Sequence, residues 1–268
     1  WQEAFENYSK YRDRPEFQGW FDTFAPNNTW LKPGEMFRCP DMAKTLKEIA
    51  ATKGESFYRG AIAEKIDAFF KKHNGFLTKE DLAAFKPEWV DPISVNYHGV
   101  DVWELPPNGH GITVLMALQI LKDMKLGERD CVDTMHKQIE AMKLAMVDTA
   151  QYVAEPSYMK VSVDQLLSEK YAAKRRALIN DQAIMPEPGE PGCPSTVYFC
   201  CADGEGNMVS FIQSNFRGFG SGIVVPGTGI SLNDRAENFK FDENHANALA
   251  GGKRPYHTII PGFLTQDG

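Results

Sequence analysis

The stretch STVYFCCAD, residues 195–203, decides the fold because it opens a strand-like alternation directly after a segment that cannot hold regular structure. That preceding segment, PEPGEPGCP at 186–194, is rich in proline and glycine, which excludes an interior helix or a central strand. Thr196 therefore lies where a linker meets a sheet. A threonine can use its own α-amine as a base only when it is an N-terminus, and a break between Ser195 and Thr196 would create that group. A threonine that simply begins a strand is the competing interpretation.

A second alternating segment follows at 208–215, and GEGN at 204–207 turns between the two. Because side chains alternate across a strand, this pattern predicts two adjacent antiparallel strands. One face of the first strand is predicted to hold Val197, Phe199 and Cys201.

The part of the chain before residue 185 is predicted to be mainly helical, with one hairpin. An apolar stripe at helical spacing is formed by Ile62, Ile66, Phe69 and Phe70. Further helices are predicted over 41–52, 78–85, 112–125, 132–153 and 162–179, a hairpin over 93–105, and an aromatic, irregular segment over 1–40. Helices before residue 185 and strands after residue 196 indicate an α+β fold.

Composition excludes several classes of function. The chain has 268 residues, 43% of them hydrophobic, which is enough for a large core. A net charge of −7 argues against a nucleic-acid surface, and no apolar run reaches the ~20 residues of a membrane helix. The histidines and cysteines lack metal-ligand spacing, so no metal is expected. The glycine-rich stretch 218–222 lacks the spacing of a dinucleotide loop, so no cofactor is expected.

Five cysteines, none in a C-x-x-C pair, favour a reducing, cytoplasmic compartment over an oxidising one without fixing it. The chain has no initiating methionine and stops soon after the apolar run 259–264. We therefore expect it to be a fragment of a longer protein.

A series of short motifs resembles the γ-glutamyltransferase (γ-glutamyltranspeptidase) family of N-terminal nucleophile hydrolases. In chain order the motifs are GESFYRG at 54–60, LTKEDL at 77–82, LPP at 105–107, EAMKLA at 140–145, Thr196, Asp203, GN at 206–207, FGSGI at 219–223, GI at 229–230, LN at 232–233 and KRP at 253–255. The resemblance covers nearly the whole chain. It implies part of a four-layer αββα sandwich and a precursor that cleaves itself.

The resemblance implies that Thr196 is the nucleophile, that the Ser195–Thr196 bond is the cleavage site and that the freed α-amine is the base. Residues 1–195 would then be the C-terminal part of a large subunit, and 196–268 the N-terminal part of a small subunit. Ser214 falls where the family has a hydroxyl that orients the nucleophile; an ordinary serine at a strand end is the alternative. The family's oxyanion glycines and carboxylate-binding arginine would lie outside this chain, so activity is expected of the full-length protein.

The substrate-binding candidates that the resemblance implies are Asn215, Asn233, Asn238, His257 and Thr258. Three positions depart from the family pattern. Asn238 stands where the family has an acid for the substrate α-amine, and Asp234-Arg235 stands where it often has Asn-Gln. His257-Thr258 replaces a serine pair for the α-carboxylate, and His257 is expected to add positive charge below its pKa.

An amide cannot supply the negative charge that an ammonium prefers. We therefore expect retained amide cleavage with a changed specificity, towards acyl groups such as glutaryl that carry a carboxylate without a free α-amine. The main expectation is a self-processing γ-glutamyltransferase-like amidohydrolase or acyltransferase acting on a small amide. The alternatives are an acylase for a non-glutamyl amide, a family member that does not mature, and a cytosolic α+β binding domain. The expected partners are the remaining segments of the same protein, with a homodimer left open.

Overall fold

The computed structural model describes residues 1–185 and 197–267, so the predicted cleavage site, Ser195 and Thr196, lies outside the described residues. The helices are α1 Gln2–Ser9, α2 Gln18–Phe24, α3 Pro40–Ala51, α4 Glu55–Arg59, α5 Ala61–Lys72, α6 Lys79–Ala84, α7 Gly111–Leu121, α8 Val132–Tyr152, α9 Val163–Leu166 and α10 Glu169–Arg176. The strands are β1 Ile93–Tyr97, β2 Val100–Glu104, β3 Val197–Ala202, β4 Met208–Gln213, β5 Val224–Val225, β6 Ile230–Ser231 and β7 Phe263–Thr265. Within the described ranges, no helix is both long and apolar enough to cross a bilayer.

The chain divides into two compact units, and the first holds Trp1–Glu88 and Asn215–Asp234. Its core is built on the apolar face of α5, where Ile62 and Ile66 are each 1% exposed and pack with Val225 of β5. Phe69 is also buried. The stripe predicted from the sequence is therefore confirmed. Burial of such side chains is the main favourable contribution to the stability of this unit.

A second cluster of the first unit is aromatic and lies around α2. Trp20 and Phe21 are buried against Val224. Gly19 permits this approach, since a Cβ there would lie 2.2 Å from the Val224 carbonyl oxygen. The prediction of an irregular segment over 1–40 is wrong for α1 and α2, because tertiary packing of their aromatic residues stabilises both helices. Phe5 and Tyr8 of α1 are half-buried against this α2 cluster.

The second unit holds Trp89–Ser214 and Arg235–Gly268. Its three-stranded antiparallel sheet has the order β1-β2-β7. The predicted hairpin is confirmed, and its turn residues His98 and Gly99 both have positive φ, as a tight two-residue turn requires. Helix α7 packs against this sheet and against α8, and buries Ile112 and Met116 with Ala145.

The predicted hairpin of β3 and β4 is also confirmed, with a register from Val197↔Gln213 to Ala202↔Met208. Its turn is closed by Asp203, whose Oδ1 accepts from the Glu205 and Asn207 backbone N–H groups at 2.9 Å each. Every residue of β3 is exposed, although the strand is apolar on both faces. A two-stranded ribbon of this kind needs further packing to be stable.

Several helix boundaries differ from the predictions for local reasons. Helix α7 ends at Leu121, earlier than the predicted end at 125. The helix predicted over 162–179 is two helices, because the Ser168 hydroxyl accepts from the Tyr171 N–H and caps a new start.

On α3, Leu46 is exposed while Thr45 is buried and donates to the Thr228 carbonyl at 2.7 Å.

Each unit combines residues from both sides of the predicted cleavage site. The division into subunit segments 1–195 and 196–268 concerns the covalent chain, and it stays a prediction.

Truncation of the α5 core should destabilise the protein strongly. Because Ile66 is 1% exposed, Ile66→Ala leaves a cavity and is expected to lower the free energy of unfolding by about 2–5 kcal/mol. The matched control is Leu46→Ala on the exposed face of α3, expected to change it by less than about 0.5 kcal/mol. Urea unfolding followed by circular dichroism measures both. Equal losses in the two variants would contradict the described core.

Candidate active site

Arg235 joins two of the predicted site residues within the second unit. It begins a turn of 3₁₀ helix, Arg235–Asn238, and its side chain is only 4% exposed. One terminal nitrogen, Nη1, donates to the Thr258 hydroxyl at 3.2 Å, and the other, Nη2, donates to the Ser214 carbonyl at 3.4 Å. Since a guanidinium keeps its proton at any pH near neutrality, a positive charge lies beside both residues.

The KRP motif holds the segment that carries His257 and Thr258. The Lys253 ammonium is buried and donates to the carbonyls of Ala246 and Ala248 at 2.6 and 2.9 Å. Arg254 forms a two-point ion pair with Glu155, with distances of 2.5 and 2.7 Å. Two-point pairs of this kind fix orientation as well as charge. These contacts give both cations of the motif a structural role.

His257 is held through its backbone and is uncharged. Its N–H donates to the Asn108 carbonyl at 3.0 Å, and the Asn108 side-chain amide donates to the Pro255 carbonyl at 2.7 Å. Burial, with a contribution from the positive charge of Arg235, lowers the pKa of His257 to about 4. The positive charge that was expected of His257 below its pKa is therefore absent at neutral pH. Arg235 supplies that charge instead.

Asn238 presents a buried donor three residues after Arg235. Among the described residues, its side-chain nitrogen Nδ2 has no hydrogen-bond partner. An unpaired buried donor is costly, and a ligand oxygen would satisfy it. The charge of Arg235 and this donor both suit an anionic group better than an ammonium.

Asn215 and Asn233 belong to the first unit, where they frame a loop. The Asn215 carbonyl accepts from the Asp234 N–H at 3.2 Å, and Asn233 is exposed. Inside the loop, Gly220 has a φ of +70° and lies so close to Leu232 that a Cβ would be 2.2 Å from that carbonyl oxygen. The glycine of this motif is thus required by a close backbone approach.

Of the predicted site residues, the structure brings Ser214 and Thr258 together through Arg235 and places His257 and Asn238 in the same unit. Thr196 lies outside the described residues. The sequence alone assigned no role to Arg235. The one feature that could have identified it is that Asp234-Arg235 stands where the family often has Asn-Gln. Over residues 1–185 and 197–267, no cluster of three or more His, Cys, Asp or Glu side chains is placed to hold a metal ion.

The state of His257 can be measured directly. NMR titration of the histidine ring signals should show His257 titrating near a pKa of about 4. Arg235→Met should move that pKa upwards towards 6.5, because the repelling charge is gone while burial remains. The control is Arg129→Met, which removes an exposed charge of the same unit and should leave the pKa of His257 unchanged. A wild-type pKa near 6.5 would refute this description.

Comparison with known proteins places the chain in one family. Residues 2–268 match the family described as Gamma-glutamyltranspeptidase. The chain is 34% identical over 249 residues to the Glutathione hydrolase-like YwrD proenzyme of Bacillus subtilis (strain 168), covering 92% of this chain and 47% of that protein. It is 32% identical over 259 residues to the Oxamate amidohydrolase proenzyme of Klebsiella pneumoniae, covering 97% of this chain and 49% of that protein.

A solved structure is also similar to this chain in both sequence and fold. The crystal structure of cephalosporin acylase from Bacillus halodurans superposes with a TM-score of 0.94 at 57% sequence identity, covering 100% of this chain and 49% of that chain. The chain therefore spans about half the length of the curated relatives it matches. Its mixed helices and sheets are those of this group of amide-cleaving enzymes. The chain belongs to the gamma-glutamyltranspeptidase family of N-terminal nucleophile amidohydrolases.

Proposed function

We propose that the full-length protein cleaves itself at the Ser195–Thr196 bond and then hydrolyses the amide of an acyl group that carries a carboxylate and no free α-amine. Thr196 is the nucleophile of this proposal, and its freed α-amine is the base. Ser214 orients the nucleophile, and Arg235, Asn238 and Thr258 bind the acyl carboxylate. A glutaryl amide is the simplest substrate of this class.

The observation that carries the substrate class is the buried guanidinium of Arg235 against the Thr258 hydroxyl. A substrate ammonium placed beside it would meet like charge in a site of low polarity, which is unfavourable. A substrate carboxylate would meet opposite charge. Asn238 adds a donor where an ammonium would need an acceptor.

The proposed chemistry is acyl transfer through a covalent intermediate. The Thr196 hydroxyl attacks the amide carbonyl while its α-amine takes the hydroxyl proton, and the same proton then goes to the leaving amine. Water attacks the resulting ester, which frees the carboxylic acid and restores Thr196. The donors to the oxyanion would come from outside this chain, and such donors contribute about 3 kcal/mol or more.

The names of relatives support the same class without fixing the substrate. Relatives are named for oxamate and for cephalosporins as well as for glutathione. Oxamate is itself an amide whose acyl group bears a carboxylate and no amine. Ordinary γ-glutamyl hydrolysis or transfer is the second candidate, favoured by the family itself. The third candidate is a family member that never cleaves itself. A measurement of self-cleavage distinguishes it from the other two candidates.

The remaining segments of the full-length protein are proposed to cover the apolar faces of β3 and β4. The exposed residues of β3 include Val197, Tyr198 and Phe199. Such faces belong inside a packed sheet rather than in water. The four-layer sandwich expected from the resemblance would bury them.

Processing tests the nucleophile. Thr196→Ala in the full-length protein should abolish both self-cleavage and turnover, because one hydroxyl serves both reactions, and Thr196→Ser should retain part of each. Intact-mass measurement and terminal sequencing should give a smaller fragment that begins Thr-Val-Tyr-Phe. Ser195→Ala is the control and should still be cleaved. A fragment that begins at residue 195, or turnover by Thr196→Ala, would exclude Thr196.

Substrate choice tests the carboxylate proposal. The processed wild-type enzyme should turn over a glutaryl anilide with a higher kcat/KM than the γ-glutamyl anilide. Asn238→Asp should reverse the preference or reduce it by at least about tenfold, because a new negative charge attracts the ammonium and repels the carboxylate, an effect of about 1.4 kcal/mol. The control is Asn244→Asp, which adds the same charge at an exposed position of the second unit. A wild-type preference for the γ-glutamyl anilide would establish ordinary family specificity.

A further inference from the structure

Glu104 is a buried carboxyl group that the proposed reaction does not use. It is the last residue of β2, is 5% exposed, and its Oε2 has no hydrogen-bond partner among the described residues. Two glycines leave the space for it. A Cβ on Gly111 would lie 2.6 Å from Oε2, and a Cβ on Gly262 would lie 2.8 Å from Oε1. The carboxyl group therefore lies between the first turn of α7 and the segment that leads into β7.

No cation balances a charge on Glu104 from the elements packed against it. In the described structure these elements are β1, α7 and β7, and their sequences contain no Asp, Glu, Lys, Arg or His; Tyr97 of β1 is their one titratable side chain. On β2 itself, Asp101 points to the opposite face of the strand. The N-terminus of α7 offers partial positive charge, which offsets only part of the cost of burial.

The titratable groups next to this site are uncharged near neutral pH. His110 precedes α7 and hydrogen-bonds through Nδ1 to the Tyr256 hydroxyl. Burial lowers the pKa of His110 to about 4 and raises the pKa of Tyr256. Burial also raises the pKa of Glu104, to about 7. Glu104 thus titrates near neutral pH, and its buried surroundings favour the protonated, neutral carboxyl group.

The neighbours of Glu104 lead directly to the proposed carboxylate site. The Gly262 carbonyl accepts from the Ser210 hydroxyl at 2.9 Å, which ties this segment to β4. At the other end of the segment, His257 forms a parallel bridge with Gly109, in the loop between Glu104 and α7. Glu104 is therefore packed against Gly262, at one end of the segment His257–Gly262. Gly109, which forms the bridge to His257 at the other end, lies five residues after Glu104 in the chain.

We propose that Glu104 is a positioning residue: its protonated side chain keeps the segment His257–Gly262 in the geometry that binds the acyl carboxylate, and its ionisation displaces that segment. This inference rests on the proposed function in one respect, the assignment of Thr258 to the acyl carboxylate. A charge on Glu104 would be buried against Gly111 and Gly262 with no hydrogen-bond partner for Oε2 among the described residues, which is costly, so ionisation favours a movement of the packed segment that admits water.

The first test uses the pH profile of the processed full-length enzyme with glutaryl anilide. The wild-type KM should rise severalfold as the pH passes from about 6 to about 8.5, beyond any change in kcat, because ionised Glu104 weakens binding. Glu104→Gln keeps the shape and stays neutral, so its KM should remain level over this range. Superimposable KM profiles of wild type and Glu104→Gln would overturn the proposal.

The second test needs no turnover and so separates a failure of this inference from a failure of the proposed function. The folded state holds the Glu104 proton above the ordinary pKa of 4.5, so ionisation opposes folding. The unfolding midpoint of the wild type should therefore fall, relative to Glu104→Gln, as the pH rises from about 4.5 to about 7, and stay level above that. Infrared difference spectra should show a protonated carboxyl band at pH 6 that Glu104→Gln lacks. An ionised Glu104 at that pH would refute the inference.

Glu140 is the matched control, because it is equally buried but has a cation. It is 1% exposed and accepts from the Lys143 ammonium at 2.6 Å. Although burial acts to raise the pKa of Glu140, the hydrogen bonds from Lys143 and the Ile184 N–H lower it overall. Glu140→Gln should therefore lose stability relative to wild type as the pH rises through the acid range, opposite in sign to Glu104→Gln. The same sign in both variants would contradict the assignment of Glu104.

Discussion

The structure of the candidate site depends on one buried cation. Arg235 is held inside the second unit by the Thr258 hydroxyl and the Ser214 carbonyl, so two parts of the chain that are far apart in sequence share one guanidinium. A buried charge is tolerated only where polar partners surround it, and these two contacts contribute to that requirement. The same charge helps to keep His257 neutral. The proposed substrate preference and the position of Thr258 thus both involve this side chain, and its charge adds to the effect of burial on His257.

The rest of the second unit keeps the segment around this cation in place. Lys253 and Arg254 are bound to carbonyls and to Glu155, so the KRP motif serves to position Tyr256, His257 and Thr258. Asn108 holds the same segment from the β2–α7 loop. Within this arrangement Glu104 is unlike the other buried carboxylates of the unit, since Glu140 pairs with Lys143 and Asp148 pairs with Arg175. That contrast is the reason to assign it a proton-dependent role.

Much of the fold could be predicted because its signals are local. The capping boxes that begin at Thr78 and Ser162 start helices where the sequence indicates, and the strand alternation around Gly204 gives the correct hairpin. Features that depend on tertiary packing were not predicted. Thr45 is buried because its hydroxyl reaches the Thr228 carbonyl, a contact across 183 positions that no local pattern reveals.

The site could be predicted only in part, and for a related reason. The resemblance identified Ser214, His257 and Thr258 as candidates, and their sequence positions gave no indication that Arg235 would lie between them. Burial of a charge is a property of the folded chain, so both the neutral state of His257 and the importance of Arg235 became visible only in three dimensions. Thr196 remains an inference from motif and chemistry.

Product inhibition tests the central claim most directly. Glutarate and L-glutamate have the same carbon chain and differ by one ammonium group, so their inhibition constants against the processed full-length enzyme compare that group alone. If Arg235 and Asn238 form a carboxylate site without an acceptor for an amine, glutarate should inhibit at least about tenfold more tightly, a difference of about 1.4 kcal/mol. Tighter inhibition by L-glutamate would contradict the account.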